Sequence, residues 1–205
     1  FSAMSIIEDR HEGFLQGVLV APVPRSALVL GKVLGGTVLA VVQALIFVGL
    51  GWGLNAVGIT SDLAFSFSAL SIVELTFFMA AIAFGLTSLG FMLAWKLDSI
   101  QGFHAIMNVL LMPMWMLSGA FFPAADSGLL AWLMWLNPLT YGVAGIRRLL
   151  YTGQIETGSH GLPSLGHCVL VVVVFGLISF AAAVGQARQR VSRKRGTTTS
   201  RRTGH

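Results

Sequence analysis

Few side chains in this 205-residue sequence could do chemistry, and nearly all of those sit in apolar surroundings. Glu74 borders a long run, Leu75 to Trp95, that contains no Asp, Glu, Lys or Arg. An ionisable group beside hydrocarbon is costly, so it is first a candidate for a pathway or gating role. About one turn from the end of the run, it could instead extend to water as a boundary residue. His104 and Asn108 are four positions apart and share a helix face. They could contact a substrate or a partner helix, or make an interhelical hydrogen bond of roughly 1 kcal/mol. Ser118-Gly119, with His104 or His167, supplies the residue types of a Ser-His hydrolase. The G-x-S-x-G surround is missing, since Met116 stands two positions before the serine. His11, His104, His160, His167 and His205 are scattered, without HExxH or paired Cys/His spacing, so no metal is expected. Gly31-Lys32 leads into Val33 and lacks the earlier glycine of a phosphate-binding loop. Cys168, the one cysteine, allows no intrachain disulfide.

The elements that must carry these groups follow from composition. Hydrophobic residues make up 55% of the chain and charged ones 10%, with a mean hydropathy of +0.80. A soluble domain carries about a quarter charged residues, so lipid is the expected solvent for most of this surface. Four windows contain no Asp, Glu, Lys or Arg: Val33 to Ser61, Leu75 to Trp95, Ser99 to Ala125 and Thr157 to Ala187. Each exceeds the roughly 20 residues that a helix needs to cross hydrocarbon. Trimmed at Gly, Pro and polar clusters, the predicted spans are about 33–54, 71–94, 103–122 and 165–185, a transmembrane domain over 33–185. Backbone groups must pair internally in lipid, so the expected fold is all-α and polytopic. Gly128 to Leu136 is apolar but ends at Asn137-Pro138, too short to span, and Trp132 and Trp135 suit the headgroup boundary. A short re-entrant or interfacial helix is therefore expected inside an external loop, 123–164. Pro113 should kink the third span. The pair Gly31 and Gly35 would permit close helix approach.

Charge sets the orientation. With four spans, Arg10, Arg25, Lys32, Lys96 and the tail cations Arg188, Arg190, Arg193, Lys194, Arg195, Arg201 and Arg202 fall on one side. Only Arg147 and Arg148 lie opposite, where they could attract an anionic group. A fifth span would split the cations almost evenly, so the positive-inside rule favours four spans and a cytoplasmic C-terminus. Residues 186–205 read as a disordered basic tail that meets anionic inner-leaflet lipid. No aromatic stacking platform accompanies it, which argues against nucleic-acid binding.

Ahead of the first span, Ile6 to Val20 is amphipathic. Phe14, Leu15, Val18 and Leu19 recur at helical spacing among Glu8, Asp9, Arg10, Glu12 and Gln16. Pro22 and Pro24 end the pattern. Its mixed charge suits docking into a groove on a soluble partner, whereas a lipid-surface helix usually carries a Lys/Arg-rich face.

Two stretches carry a resemblance. Glu8-Asp9-Arg10-His11-Glu12-Gly13, then Phe14 to Ala21, Pro22, Arg25 and Gly31-Lys32, resembles the coupling helix of type 2 ABC permeases. Leu117-Ser118-Gly119-Ala120-Phe121-Phe122-Pro123, the Trp132 to Trp135 stretch and Asn137-Pro138-Leu139-Thr140-Tyr141 resemble the external loop before that family's last span.

The resemblance implies a permease subunit of an ABC exporter in the plasma or inner membrane, seen here without the first of six spans and most of the second; Phe1 to Ile7 would end an earlier span. It implies pairing with a second permease copy or paralogue and with ATP-binding subunits that Glu8, Asp9, Arg10, Glu12, Phe14, Leu15 and Val18 would contact. Residues 1–32 then hold the end of the preceding span and the coupling helix. The chain itself is expected to be no enzyme and to bind no cofactor, ATP belonging to the partner. A drug, lipid-linked glycan, polysaccharide or other amphiphile would move outward. Asn137, Pro138 and Tyr141 mark the external motif. The alternatives are a non-transporting membrane scaffold and the Ser-His hydrolase.

Overall fold

The computed structural model describes residues 24–59, 69–97, 99–120, 128–150 and 163–202. The amphipathic stretch at 6–20, and with it Glu8, Asp9, Arg10, Glu12, Phe14, Leu15 and Val18, lies outside the described residues. The elements are α1 (Arg25–Ala56), α2 (Ala69–Ala94), α3 (Ile100–Trp115), a π-helical turn (Met116–Ala120), α4 (Leu129–Leu136), α5 (Pro138–Leu150) and α6 (Leu165–Arg202). There is no strand among the described residues. Four helical stretches are long and apolar enough to cross a membrane: Ser26–Ala56, Ser71–Ala94, Ile100–Ala120 and Leu165–Ala187. The protein is an all-α polytopic membrane protein.

Local sequence explains the boundaries. Pro24 is extended (φ −62°, ψ 133°) and α1 begins on the next residue, as a proline outside a helix allows. The 32 residues of α1 rise about 48 Å, more than a bilayer core, so Arg25 and Lys32 belong to one continuous helix with the span. Ser99 caps α3, its Oγ accepting the Gly102 amide at 3.0 Å. Asn137 is extended (φ −83°, ψ 117°) between α4 and α5, the conformation that a following proline imposes. Helix α4, with 8 residues, rises only about 12 Å, too little to span.

Helix α2 packs against α1, α5 and α6. Its contact with α6 rests on a row of mostly small residues: Cys168, Val172, Gly176, Ser179, Ala183 and Ala187, all buried. Their spacing of three and four keeps them on one helix face. Small side chains let membrane helices approach until backbone and ring atoms touch, which is how such helices gain packing energy in lipid. At the crossing, a Cβ on Gly85 would stand 2.9 Å from Phe175 Cδ1 and 3.3 Å from the Gly176 Cα. By contrast, a Cβ on Gly31 or Gly35 would meet nothing within 4 Å, so the close approach falls at glycines other than those the spacing suggested.

Two apolar clusters lie at opposite ends. Val29 and Val33 of α1 meet Phe91 and Trp95 at the end of α2 and Ala183 and Ala187 of α6. Toward the other end, Leu75, Phe78 and Met79 pack with Tyr141, Ala144 and Leu149 of α5 and with Cys168 and Val172. A smaller contact joins Ala94 to Phe103 of α3.

Two features differ from the sequence expectations. The loop region contains a second helix, α5, directly after the short apolar one. The expected disordered tail is instead helical: α6 runs on to Arg202. Arg, Lys and Gln, frequent over 188–195, are good helix formers, and a helix already nucleated in the span extends through them at low cost. Pro113 lies inside α3, and Gly119 of the π-turn that follows leaves helical geometry (φ 79°, ψ 4°). Pro113 lacks the amide that would reach the Val109 carbonyl, and one turn on the Met116 amide reaches the carbonyls of both Met112 and Pro113.

Candidate functional site

A helix end leaves its last carbonyls without partners, and in a membrane those groups must be met by protein. The end of α3 and the π-turn after it face this problem from Met114 to Ala120. Ser118 Oγ donates to the Trp115 carbonyl at 2.6 Å. Asn137 Nδ2 donates to the Met114 carbonyl at 2.6 Å, and Thr140 Oγ1 to the Leu117 carbonyl at 3.2 Å. Arg147 Nη2 makes a long contact of 3.5 Å to the Ala120 carbonyl. Three of these four donors come from the Asn137–Arg147 stretch, on the far side of α4 along the chain.

The same stretch closes two further helix ends. Asn137 Oδ1 accepts the Leu139 amide at 3.1 Å, so Asn137 is the N-cap of α5 and Pro138 its first residue. Tyr141 OH donates to the Trp135 carbonyl at 2.9 Å, near the end of α4. Its ring meets Trp135 edge-on (6.3 Å, 73°) and His167 of α6 at 5.5 Å. Asn137, Pro138 and Tyr141 therefore sit where the ends of α3 and α4 and the start of α5 converge. Burial pushes the Tyr141 phenol above its ordinary 10.0, with the Cys168 thiol adding to the effect, so it stays a donor at neutral pH.

Of the groups singled out in sequence, the structure does not bring Glu74, His104 and Asn108 into one site. Glu74 is exposed, just inside the start of its span, and lines a groove between α2, α5 and α6. His104 and Asn108 are exposed on α3. Few residues of the α3 span are buried by the rest of the chain, and Val109 beside Asn108 is 77% exposed. Two polar side chains thus stand one turn apart on a span that its own fold leaves bare. Ser118 is buried and occupied as a cap, and His104 lies about 21 Å of helix before it. That separation removes the Ser118–His104 pairing of the hydrolase reading. No group of three or more metal-ligating side chains occurs among the described residues.

Sequence reasoning named Thr140, Arg147 and Ser118 but passed over their roles as donors to the carbonyls at the end of α3. The available signal was Asn-Pro followed by a Thr and, toward the end of the same helix, Arg147-Arg148: an N-cap, a proline at the first helical position and cations in the last turn.

No curated protein and no solved structure matches the chain. The family described as ABC-2 type transporter matches residues 1–151, a range that holds both the amphipathic stretch ahead of α1 and the Asn137–Tyr141 knot. With four apolar spans and that match over most of its length, the chain belongs to the ABC-2 type transporter family and is the membrane permease component of an ABC transporter.

Proposed function

We propose that this permease works in an ATP-driven exporter that moves a drug, lipid-linked glycan, polysaccharide or other amphiphile outward. It sits in the plasma or inner membrane with its C-terminus in the cytoplasm. It pairs with a second permease copy or paralogue and with ATP-binding subunits, and it holds no cofactor of its own. Glu8, Asp9, Arg10 and Glu12 make polar contacts to the ATP-binding subunit, while Phe14, Leu15 and Val18 fill its groove. Closure of the ATP-binding subunits pushes these residues, and the spans reorient.

One observation carries the reading beyond the family. A lone scaffold has no use for a span with His104 and Asn108 on an uncovered surface, where lipid would leave both unpaired. A second permease or a passing substrate gives those groups partners. On the opposite end, the knot at Asn137 fixes where α3 stops, so movement of α3 is transmitted to α4 and α5 as one unit.

The test is reconstitution of the full-length protein with the ATP-binding subunit encoded beside it. Phe14→Asp should lose co-purification and transport-coupled ATPase activity. His104→Leu with Asn108→Leu should keep co-purification but lose ATP-dependent transport. Retained coupling in Phe14→Asp would sink the docking assignment, and full transport in the double variant would remove α3 from the pathway.

A further inference from the structure

The groove beside Glu74 has a volume of about 390 Å³ and is bounded by the first turns of α2, the last turn of α5 and the first turns of α6. Val73, Phe77, Leu149, Val169 and Val173 are among its walls, and among the described residues Glu74 is the one ionisable side chain that lines it. No described residue of α3 contributes, so the groove is separate from His104 and Asn108. Neither Arg147 nor Arg148 lines it, although both stand on α5 next to Leu149. Glu74 is exposed and has no hydrogen-bond or ion-pair partner among the described residues.

Depth and chemistry narrow the occupant. Glu74 lies just inside the span that starts at Ser71, about 5 Å along the helix. At that depth a carboxylate is close enough to the interface to ionise, yet the groove walls offer no counter-charge. Phe77, one turn further in, and Ala81, two turns further in, place apolar walls on the hydrocarbon side of the carboxylate. A ligand that satisfies both parts needs a cationic head at the height of Glu74 and an apolar body extending inward. An anionic amphiphile would be repelled, and a neutral one would leave the carboxylate unpaired. The volume is at the lower end of ligand pockets, which run from about 300 to 1,000 Å³. It suits one alkyl chain or a small ring system.

We propose that this groove is a membrane-facing binding site for a single-chain amphiphile with a cationic head. The ammonium group pairs with Glu74, and the tail lies along Phe77, Val169 and Val173. The site needs neither ATP nor substrate movement, so it stands or falls independently of the exporter reading.

A photoaffinity probe with a trimethylammonium head and a diazirine in a decyl chain tests it on the full-length protein, with its partner subunits, in phosphatidylcholine nanodiscs. Labelled peptides are mapped by mass spectrometry. Labelling of α2 and α6 should saturate and be displaced by decyltrimethylammonium, but not by decyl maltoside or decyl sulfate. Glu74→Gln should weaken the probe about tenfold by removing the ion pair, while Glu74→Asp retains most of it. Val169→Trp should block labelling by filling the groove. Equal displacement by the neutral and anionic competitors in the unaltered protein would overturn the proposal without any variant. So would unchanged affinity in Glu74→Gln, or protection of α2 by another subunit, which would make a protein helix the occupant.

Discussion

Asn137 joins two helices with one side chain, its amide group meeting the α3 carbonyl of Met114 and its oxygen capping α5. Replacing it with alanine removes both bonds and leaves a half-buried carbonyl short of a donor, a cost of about 1–2 kcal/mol. Asn137→Ala should therefore lower the thermal midpoint in detergent by several degrees, as read by fluorescence-detected gel filtration. Thr140→Val, which loses one longer bond and keeps its shape, should cost less. Equal midpoints for the unaltered protein and Asn137→Ala would show that the knot adds no stability. Tyr141 adds a pH signature. Its phenol is raised by burial, so the fold holds that proton more tightly than the unfolded chain does. The contribution is complete below pH 10 and falls as pH climbs from about 10 through the folded value. The midpoint difference between the unaltered protein and Tyr141→Phe should be positive near pH 8 and shrink above pH 10. A difference that stays constant across that range would contradict the assignment.

At the scale of elements, packing is set by where backbones touch. A Cβ on Gly145 would collide with the Phe78 ring, and one on Gly85 with Phe175, whereas Gly31 and Gly35 face open space. Gly145→Ala and Gly85→Ala should destabilise by about 1–3 kcal/mol through overpacking. Gly31→Ala should be neutral or gain up to about 1 kcal/mol, because alanine favours the helix. Thermal midpoints of the variants in one detergent decide the ranking, and a larger loss at Gly31 than at Gly145 would reverse it. This contrast also marks what the sequence could reveal. The long apolar helices were legible because the absence of charge over a bilayer's thickness of helix has few other meanings. The glycine contacts were not, since in a chain with 24 glycines spacing alone does not say which face meets a neighbour. Helix α5 was hidden for a different reason. Its sequence mixes Gly142, Gly145, Thr140 and two arginines, so no apolar run announces it, and only its caps do. The Asn137-Pro138-Tyr141 motif was visible as a pattern, but its role in closing three helix ends depends on the end of α3, a non-local contact that no spacing encodes.

For the whole molecule, the physical question is which end faces the cytoplasm, and the charge on α6 is what supports the proposed cytoplasmic C-terminus. The helix has 38 residues, a rise of about 57 Å, while the hydrocarbon core takes about 30 Å. Its far portion must leave the membrane as a helix that bears all seven tail cations. Moving that segment across a bilayer would oppose the positive-inside preference seven times over, while the opposite arrangement strands only Arg147 and Arg148. A cysteine introduced at Ser200 should be shielded from a membrane-impermeant maleimide in intact cells and react once the cells are opened. One introduced at Gly158, in the segment between α5 and α6, should react in intact cells. Cys168 is buried in the span, so the parent protein serves as the blank. Exchanging Arg188, Arg190, Arg193, Lys194 and Arg195 for glutamine should make the Ser200→Cys signal mixed, because the orientation then rests on fewer cations. Labelling of Ser200→Cys in intact cells carrying the unaltered tail would invert the topology and, with it, the side on which any ATP-binding subunit could dock.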